Sequence, residues 1–177
     1  TLPLCPKFFI RMKRLFIQSL LFCCLVGSFY GCHATRAQEK STGEQMLEML
    51  NQQHLSLLVY NDSTLSTHAN RGVRDLLMLI STQPERLQGA IVADKIIGKA
   101  AAAIMATGGV VEVHTNIIST PARQLLEAEG IQVVATEEVP QILNQNKSQM
   151  CPIDAQLEGI ETIEECVTVL QNRFLTL

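Results

Sequence analysis

The feature that most constrains the fold is the alternation of uninterrupted apolar runs with helical stretches between Gly89 and Ala135. Gly89-Ala-Ile-Val-Ala is a strand-like run, followed by an Ala-rich helical stretch from about Ile96 to Thr107 that stops at Gly108-Gly109. Val110 to Thr115 reads as a second strand, Pro121 to Glu129 as a helix stopped by Gly130, and Ile131 to Ala135 as a third strand. A strand with one wet face alternates apolar and polar residues. These strands do not alternate, so both their faces need cover, which is the habit of parallel strands joined by helical crossovers. The expected class is α/β, in a three-layer α/β/α arrangement.

The flanking sequence adds an opening hairpin, which makes the expected sheet mixed. His54-Leu-Ser-Leu-Leu-Val-Tyr60 reads as a buried strand, Asn61-Asp62-Ser63 as its turn, and Leu65 to His68 as the returning partner. Before it, Ser41 and Glu44 have capping-box spacing, and Met46, Leu47, Met49 and Leu50 give a short helix an apolar face. Gly72 to Ile80 is helical, with Val73, Leu76, Leu77 and Ile80 on one stripe. A last helix is expected from about Glu161 to Phe174, with Cys166 on its apolar side. Val139 to Glu158 is long and irregular, and long loops of this kind often carry function.

The first residues have a different character. Met12-Lys13-Arg14 precedes the apolar run LFIQSLLFCCLVGSFYG, the form of an export signal that is too short for a membrane span. The run ends at Gly31-Cys32, where Cys32 is a candidate lipid anchor; cleavage near Ala34 or Ala37 by an ordinary signal peptidase is the rival. Residues 1–36 are therefore taken as an upstream extension plus signal, 37–45 as a linker and 46–177 as the domain. The expected location is exported, periplasmic or lipid-anchored, with a cytoplasmic protein as the alternative if the segment is a misread extension.

Charge follows the same division. Lys7, Arg11, Lys13, Arg14 and Arg36 precede position 37, whereas all 17 acidic residues follow it, so the domain is acidic. That excludes broad nucleic-acid binding, which depends on neutralising phosphates with Lys and Arg. If the signal is removed, Cys151 and Cys166 remain in the domain, enough for one disulfide but not for a disulfide-built scaffold.

The block GAIVADKIIGKAAAAIMATGGVVEVHTNIISTPARQLLEAEGIQVV resembles the centre of the cytidine-deaminase-like fold. More closely, it resembles an uncharacterised bacterial branch of that superfamily, classed as a domain of unknown function. The resemblance is carried by Asp94-Lys95, Gly98-Lys99 and Met150-Cys151-Pro152, and extends from about Met46 to Gly159. Zinc deaminases hold their metal with a His or Cys, beside a catalytic Glu, at one helix start and a Pro-Cys-x-x-Cys at the next. The corresponding positions here are Ala93-Asp94-Lys95 and Ser119-Thr120-Pro121-Ala122, which supply no zinc ligand. His54, His68 and His114 are scattered. No metal and no cofactor are expected, and zinc-dependent deamination is not the expected chemistry.

The residues standing there have their own chemistry. Asp94, Lys95 and Lys99 are expected at a strand-to-helix junction, with Lys95 and Lys99 four apart on one helix face. Two cations at the positive end of a helix dipole call for a negative partner, either Asp94 or a bound anion. Gly98 between them leaves room for close approach by a ligand or neighbouring backbone. In this fold the next helix start converges on the same pocket, which brings in Ser119 and Thr120, one of them as N-cap. The ligand-binding candidates are thus Asp94, Lys95, Gly98, Lys99, Ser119 and Thr120, for a small anionic or nucleotide-like ligand. The plain structural alternative is an exposed first turn with Asp94 as N-cap and two solvated lysines.

Catalytic candidates are Asp94, Lys95 and Cys151, the last a loop thiol beside Pro152 that becomes a nucleophile only if a cation or helix start lowers its pKa. Asp154 is expected to cap a short turn, Arg71 and Arg74 to flank a helix, and His114 to be a hydrogen-bonded strand residue. Three functions compete: an anion-binding module, a metal-independent enzyme using Cys151 or Lys95, and a non-catalytic envelope interaction protein.

Overall fold

A computed structural model describes residues 40–53, 55–70 and 72–174. The segment expected to be an export signal, with Cys32, and also His54 and Arg71 lie outside the described residues. Those described belong to one compact unit, Lys40–Leu177.

The chain opens with α1 (Thr42–Gln52), which begins inside the stretch read as linker. Its start is the expected capping box: the Ser41 hydroxyl accepts from Glu44 N at 3.2 Å, and Ser41 N donates to the Glu44 carboxylate at 2.9 Å. The hairpin β1 (Leu57–Asn61) and β2 (Thr64–His68) follows. Asp62 and Ser63 both take positive φ, 46° and 62°, the two-residue turn whose twist suits a tight hairpin. Next come α2 (Arg74–Thr82), β3 (Ile91–Ile97), α3 (Lys99–Thr107), β4 (Glu112–Ser119), α4 (Thr120–Ala128), β5 (Gln132–Val139) and α5 (Ile163–Phe174). Short 3-10 turns lie at Pro84–Arg86 and Asp154–Leu157.

The sheet is five-stranded and mixed, in the order β2-β1-β3-β4-β5. β1 is antiparallel to both β2 and β3, whereas β3, β4 and β5 run parallel. The helical crossovers between the parallel strands are α3 and α4, as the apolar runs require.

All three parallel strands continue past the apolar runs that identify them. β3 stays paired through Ile96↔Ile117 and Ile97↔Ile118, and β4 and β5 stay paired through Ser119↔Val139. The polar residues Asp94, Lys95, Asn116 and Glu137 interrupt the apolar signal. The ladder continues regardless, because neighbouring strands extend together and satisfy each other's backbone groups. This corrects the expected helix start: α3 begins at Lys99 with Gly98 as N-cap, not near Ile96. Asp94 and Lys95 lie on β3, and neither caps a helix.

Two apolar clusters hold the unit together. Leu58 and Ala93 pack with Met46 and Leu50 of α1. Their strand neighbours of opposite parity, Leu57, Val59 and Val92, join the larger cluster with Leu77, Ile104, Leu126 and Leu170. Ala100 to Met105 are all buried, so α3 is covered on every side, and its alanines let neighbouring elements approach closely. Cys166 is 1% exposed within the larger cluster, as its helical spacing predicts.

Candidate functional site

At the C-terminal end of β3, a cavity of about 720 Å³ lies between the sheet and the irregular segment that follows β5. Its floor includes Asp94, Lys95, Ala100 and Ala101, and its opposite wall includes Ile142, Asn144, Cys151 and Asp154. Three residues singled out on different grounds, Asp94, Lys95 and Cys151, therefore share one cavity. Among the described residues lining it, Lys95 is the one cationic side chain and none is aromatic.

Asp94 is placed by the β3 ladder, where it pairs with Leu57 on one side and Thr115 on the other. Its Oδ1 accepts from Ile96 N at 3.2 Å. Part of its surface stays open, but surrounding protein withdraws the carboxyl from water and pushes its pKa up to about 7. The Ile96 and Lys95 amides and the Lys95 charge oppose that rise, while the Asp75 charge adds to it. Near neutral pH the group can both give and take a proton.

Lys99 does something else. As the first residue of α3 it does not share a helix face with Lys95. Its Nζ donates to the carbonyls of Leu157 at 3.0 Å and Ile160 at 2.6 Å. It is a tether to the segment beyond Cys151, with two of its three ammonium donors spent on that segment.

The close approach that Gly98 permits is also internal. A Cβ at Gly98 would overlap the Asp154 carboxylate, and Asp154 Oδ1 accepts from Ala100 N at 3.0 Å. The helix start is thus capped by a carboxylate from 54 residues away. The negative partner expected at this positive helix end is the chain's own Asp154. Burial raises its pKa, opposed by the Ala100 and Lys99 amides and by the Lys99 charge. No local signal marks this contact, since Asp154 itself reads as a cap for the short turn it opens.

Ser119 and Thr120 do not join Asp94 and Lys95 in the main cavity. Ser119 is the N-cap of α4, accepting from Ala122 N at 3.4 Å, and borders a second recess of about 280 Å³ with Lys99. Thr120 turns to the sheet edge, where its hydroxyl donates to Glu138 at 2.8 Å. Arg123 also holds Glu138, at 2.7 Å. The two recesses share Ile142 and Asp154 as a partition.

Cys151 and Cys166 are both free thiols, and burial pushes the Cys166 thiol up. His114, 2% exposed, makes a 2.5 Å contact from Nε2 to the Glu112 carboxylate and does not line the cavity. Arg74 lies 6.0 Å from the Phe174 ring centre and lines neither recess. Among the described residues, no group of three His, Cys, Asp or Glu side chains is arranged to hold a metal ion, and no helix is long and apolar enough to cross a membrane. The cavity wall also includes Ile142, Asn144 and Gln145, which carry no recognisable motif and are found only through the fold.

No curated protein matches the chain. Among solved structures, the crystal structure of a DUF1893 family protein (TM1506) from Thermotoga maritima is similar, with a TM-score of 0.67 and 26% identity. That match covers 73% of this chain and 88% of the other. Residues 45–174, which include both cavities and every element except the first turn of α1, match the family TM1506, domain of unknown function (DUF1893). The chain belongs to the DUF1893 family.

Proposed function

We propose that this domain binds a small anionic ligand in the cavity beside Asp94 and Lys95. The observation that carries the proposal is the meeting of Asp94, Lys95 and Cys151 in one cavity of about 720 Å³, a size suited to a small organic molecule. Lys95 supplies the charge for a carboxylate or phosphate, and Asp94 supplies a hydrogen-bonding group whose proton is exchangeable near neutrality. Among the described residues, the lining offers a nucleobase no aromatic face to stack on, which favours an aliphatic body over a nucleotide.

The architecture behind this proposal is a three-layer α/β/α domain of the cytidine-deaminase-like type. Support comes from the β2-β1-β3-β4-β5 order and from apolar clusters formed by strand residues of opposite parity. Export by the segment before residue 37, with Cys32 as lipid anchor, is part of the same proposal. Palmitate incorporation that disappears in Cys32→Ala would support it, and unlabelled protein in the soluble fraction would count against it.

The ligand is sought by thermal shift with small aliphatic carboxylates, sugar phosphates and nucleotides. Ligand at about ten to a hundred times Kd stabilises by about 1.4–2.7 kcal/mol, enough to see. The expected result is a stabiliser among the carboxylates or sugar phosphates whose effect is lost in Lys95→Ala. If none stabilises, or if Lys95→Ala responds like the wild type, the proposal fails. A metal-independent enzyme is the second possibility, favoured by a thiol, an amine and an acid of pKa about 7 lining one cavity. It requires turnover of the stabilising ligand that is abolished in Cys151→Ser or Lys95→Met.

A further inference from the structure

The wall of the cavity is built differently from its floor. The floor belongs to β3 and the first turn of α3, where Ala100 and Ala101 are 2% and 5% exposed. The wall is the segment from Ile142 to Leu157, whose residues 145–149 are all exposed. A single isolated bridge, Leu143↔Met150, gives it strand-like order, with support from Asn144 N to Gln149 O at 2.8 Å and Cys151 N to Ile142 O at 2.8 Å. Those bonds close the segment on itself. They do not hold it to the body.

Attachment to the body is made at its far end. Leu157 is fully buried in the larger cluster, and Lys99 grips the Leu157 and Ile160 carbonyls. Nearer the cavity, the polar attachment is the Asp154 carboxylate on Ala100 N, seated in the space over Gly98. Cys151 lies three residues away, joined to the same turn through Ala155 N to Cys151 O at 2.9 Å.

We propose that the segment 142–154 is a gate over the Asp94-Lys95 cavity, with Asp154 as its latch and the Leu157–Lys99 attachment as its fixed end. This rests on the cavity being the binding site. When the latch releases, the partition formed by Ile142 and Asp154 moves, the main cavity opens toward the recess beside Ser119, and Cys151 leaves the wall. Asp154 and Lys99 are accordingly positioning residues, not ligand contacts. A short, largely exposed segment whose polar hold on the body is one charged cap, with Ile153 alone packed against the larger cluster, is the kind of element that opens locally without global unfolding.

The test places a thiol on the floor, Ala101→Cys, in the full chain and follows alkylation by iodoacetamide with peptide-resolved mass spectrometry. Buried Cys166 serves as internal control, because it becomes accessible only when the core opens. Asp154→Ala is expected to speed labelling at position 101 by roughly tenfold, the shift in opening equilibrium set by the loss of one helix cap, with Cys166 unchanged. Asp154→Asn keeps an oxygen to accept from Ala100 N and is expected to stay within a few-fold of the parent. Unchanged labelling at 101 in Asp154→Ala overturns the gate, as does a matched rise at 101 and Cys166. Hydrogen exchange over residues 142–157 makes the same comparison without the added thiol. Neither readout uses a ligand, so a failed gate and a failed binding site are told apart.

Discussion

At the scale of single residues, the unusual group is Asp94. The folded state raises its pKa from the ordinary 3.8 to about 7 because burial disfavours the carboxylate. An acid raised in this way contributes its full stability below about pH 4, and that contribution is lost as pH rises through about 7. Asp75 and Lys95 act on it with opposite signs, and neither reverses the direction. Replacing Asp94 by Asn removes the burial of a charge. The variant is expected to melt above wild type at pH 8, by a margin on the order of 1–2 kcal/mol after allowing for the open side of the site. The gap closes toward pH 4, which melting curves across that range will show; a gap independent of pH would mean that Asp94 is not the titrating group. The residue types at this site were legible in the sequence, but their surroundings were not. Asp94, Lys95 and Cys151 meet as a constellation, whereas Asp154 fills the space over Gly98 and Lys99 donates to the Leu157 and Ile160 carbonyls. A side chain's partner 54 or more residues away leaves no mark in its own neighbourhood.

At the scale of elements, the most demanding contact is made by α1. Gly43 sits over the ring of His114, and a Cβ there would overlap the ring atoms. The ring is fixed in turn by Glu112, two residues back on β4. Gly43→Ala must therefore either shift α1 or displace a buried imidazole. Overpacking of this kind is expected to cost about 1–3 kcal/mol, measurable by urea denaturation, against near-neutral Gln45→Ala on the exposed side of the same helix. Equal stability of the two variants would mean that α1 adapts freely. Each element's existence was evident from local pattern: the capping box, the hairpin turn and the Gly stops at Gly109 and Gly130, both with φ of 74°, stand as expected. Their ends were less evident, because the three parallel strands continue through polar residues once a neighbour supplies hydrogen bonds.

At the scale of the molecule, the described residues from Lys40 onward build both apolar clusters. A chain beginning at Lys40 is thus expected to unfold in one cooperative transition in urea. A broad or multiphasic transition for the shorter chain would show that the clusters do not suffice. The acidic balance of this unit, with Lys95 as the one cation among the described residues lining its cavity, sets how it meets charged ligands. What the sequence by itself determined was the α/β class, the succession of elements and the residues on their buried faces. Those follow from short-range effects: periodicity, caps and glycine conformations act within one or two turns. Only the tertiary structure decided that Asp94 and Lys95 lie on a strand, that Lys99 faces carbonyls, and that Asp154 fills the helix start. Those outcomes depend on which distant side chain reaches a given backbone amide first, and that is settled by the packing of segments far apart in the chain.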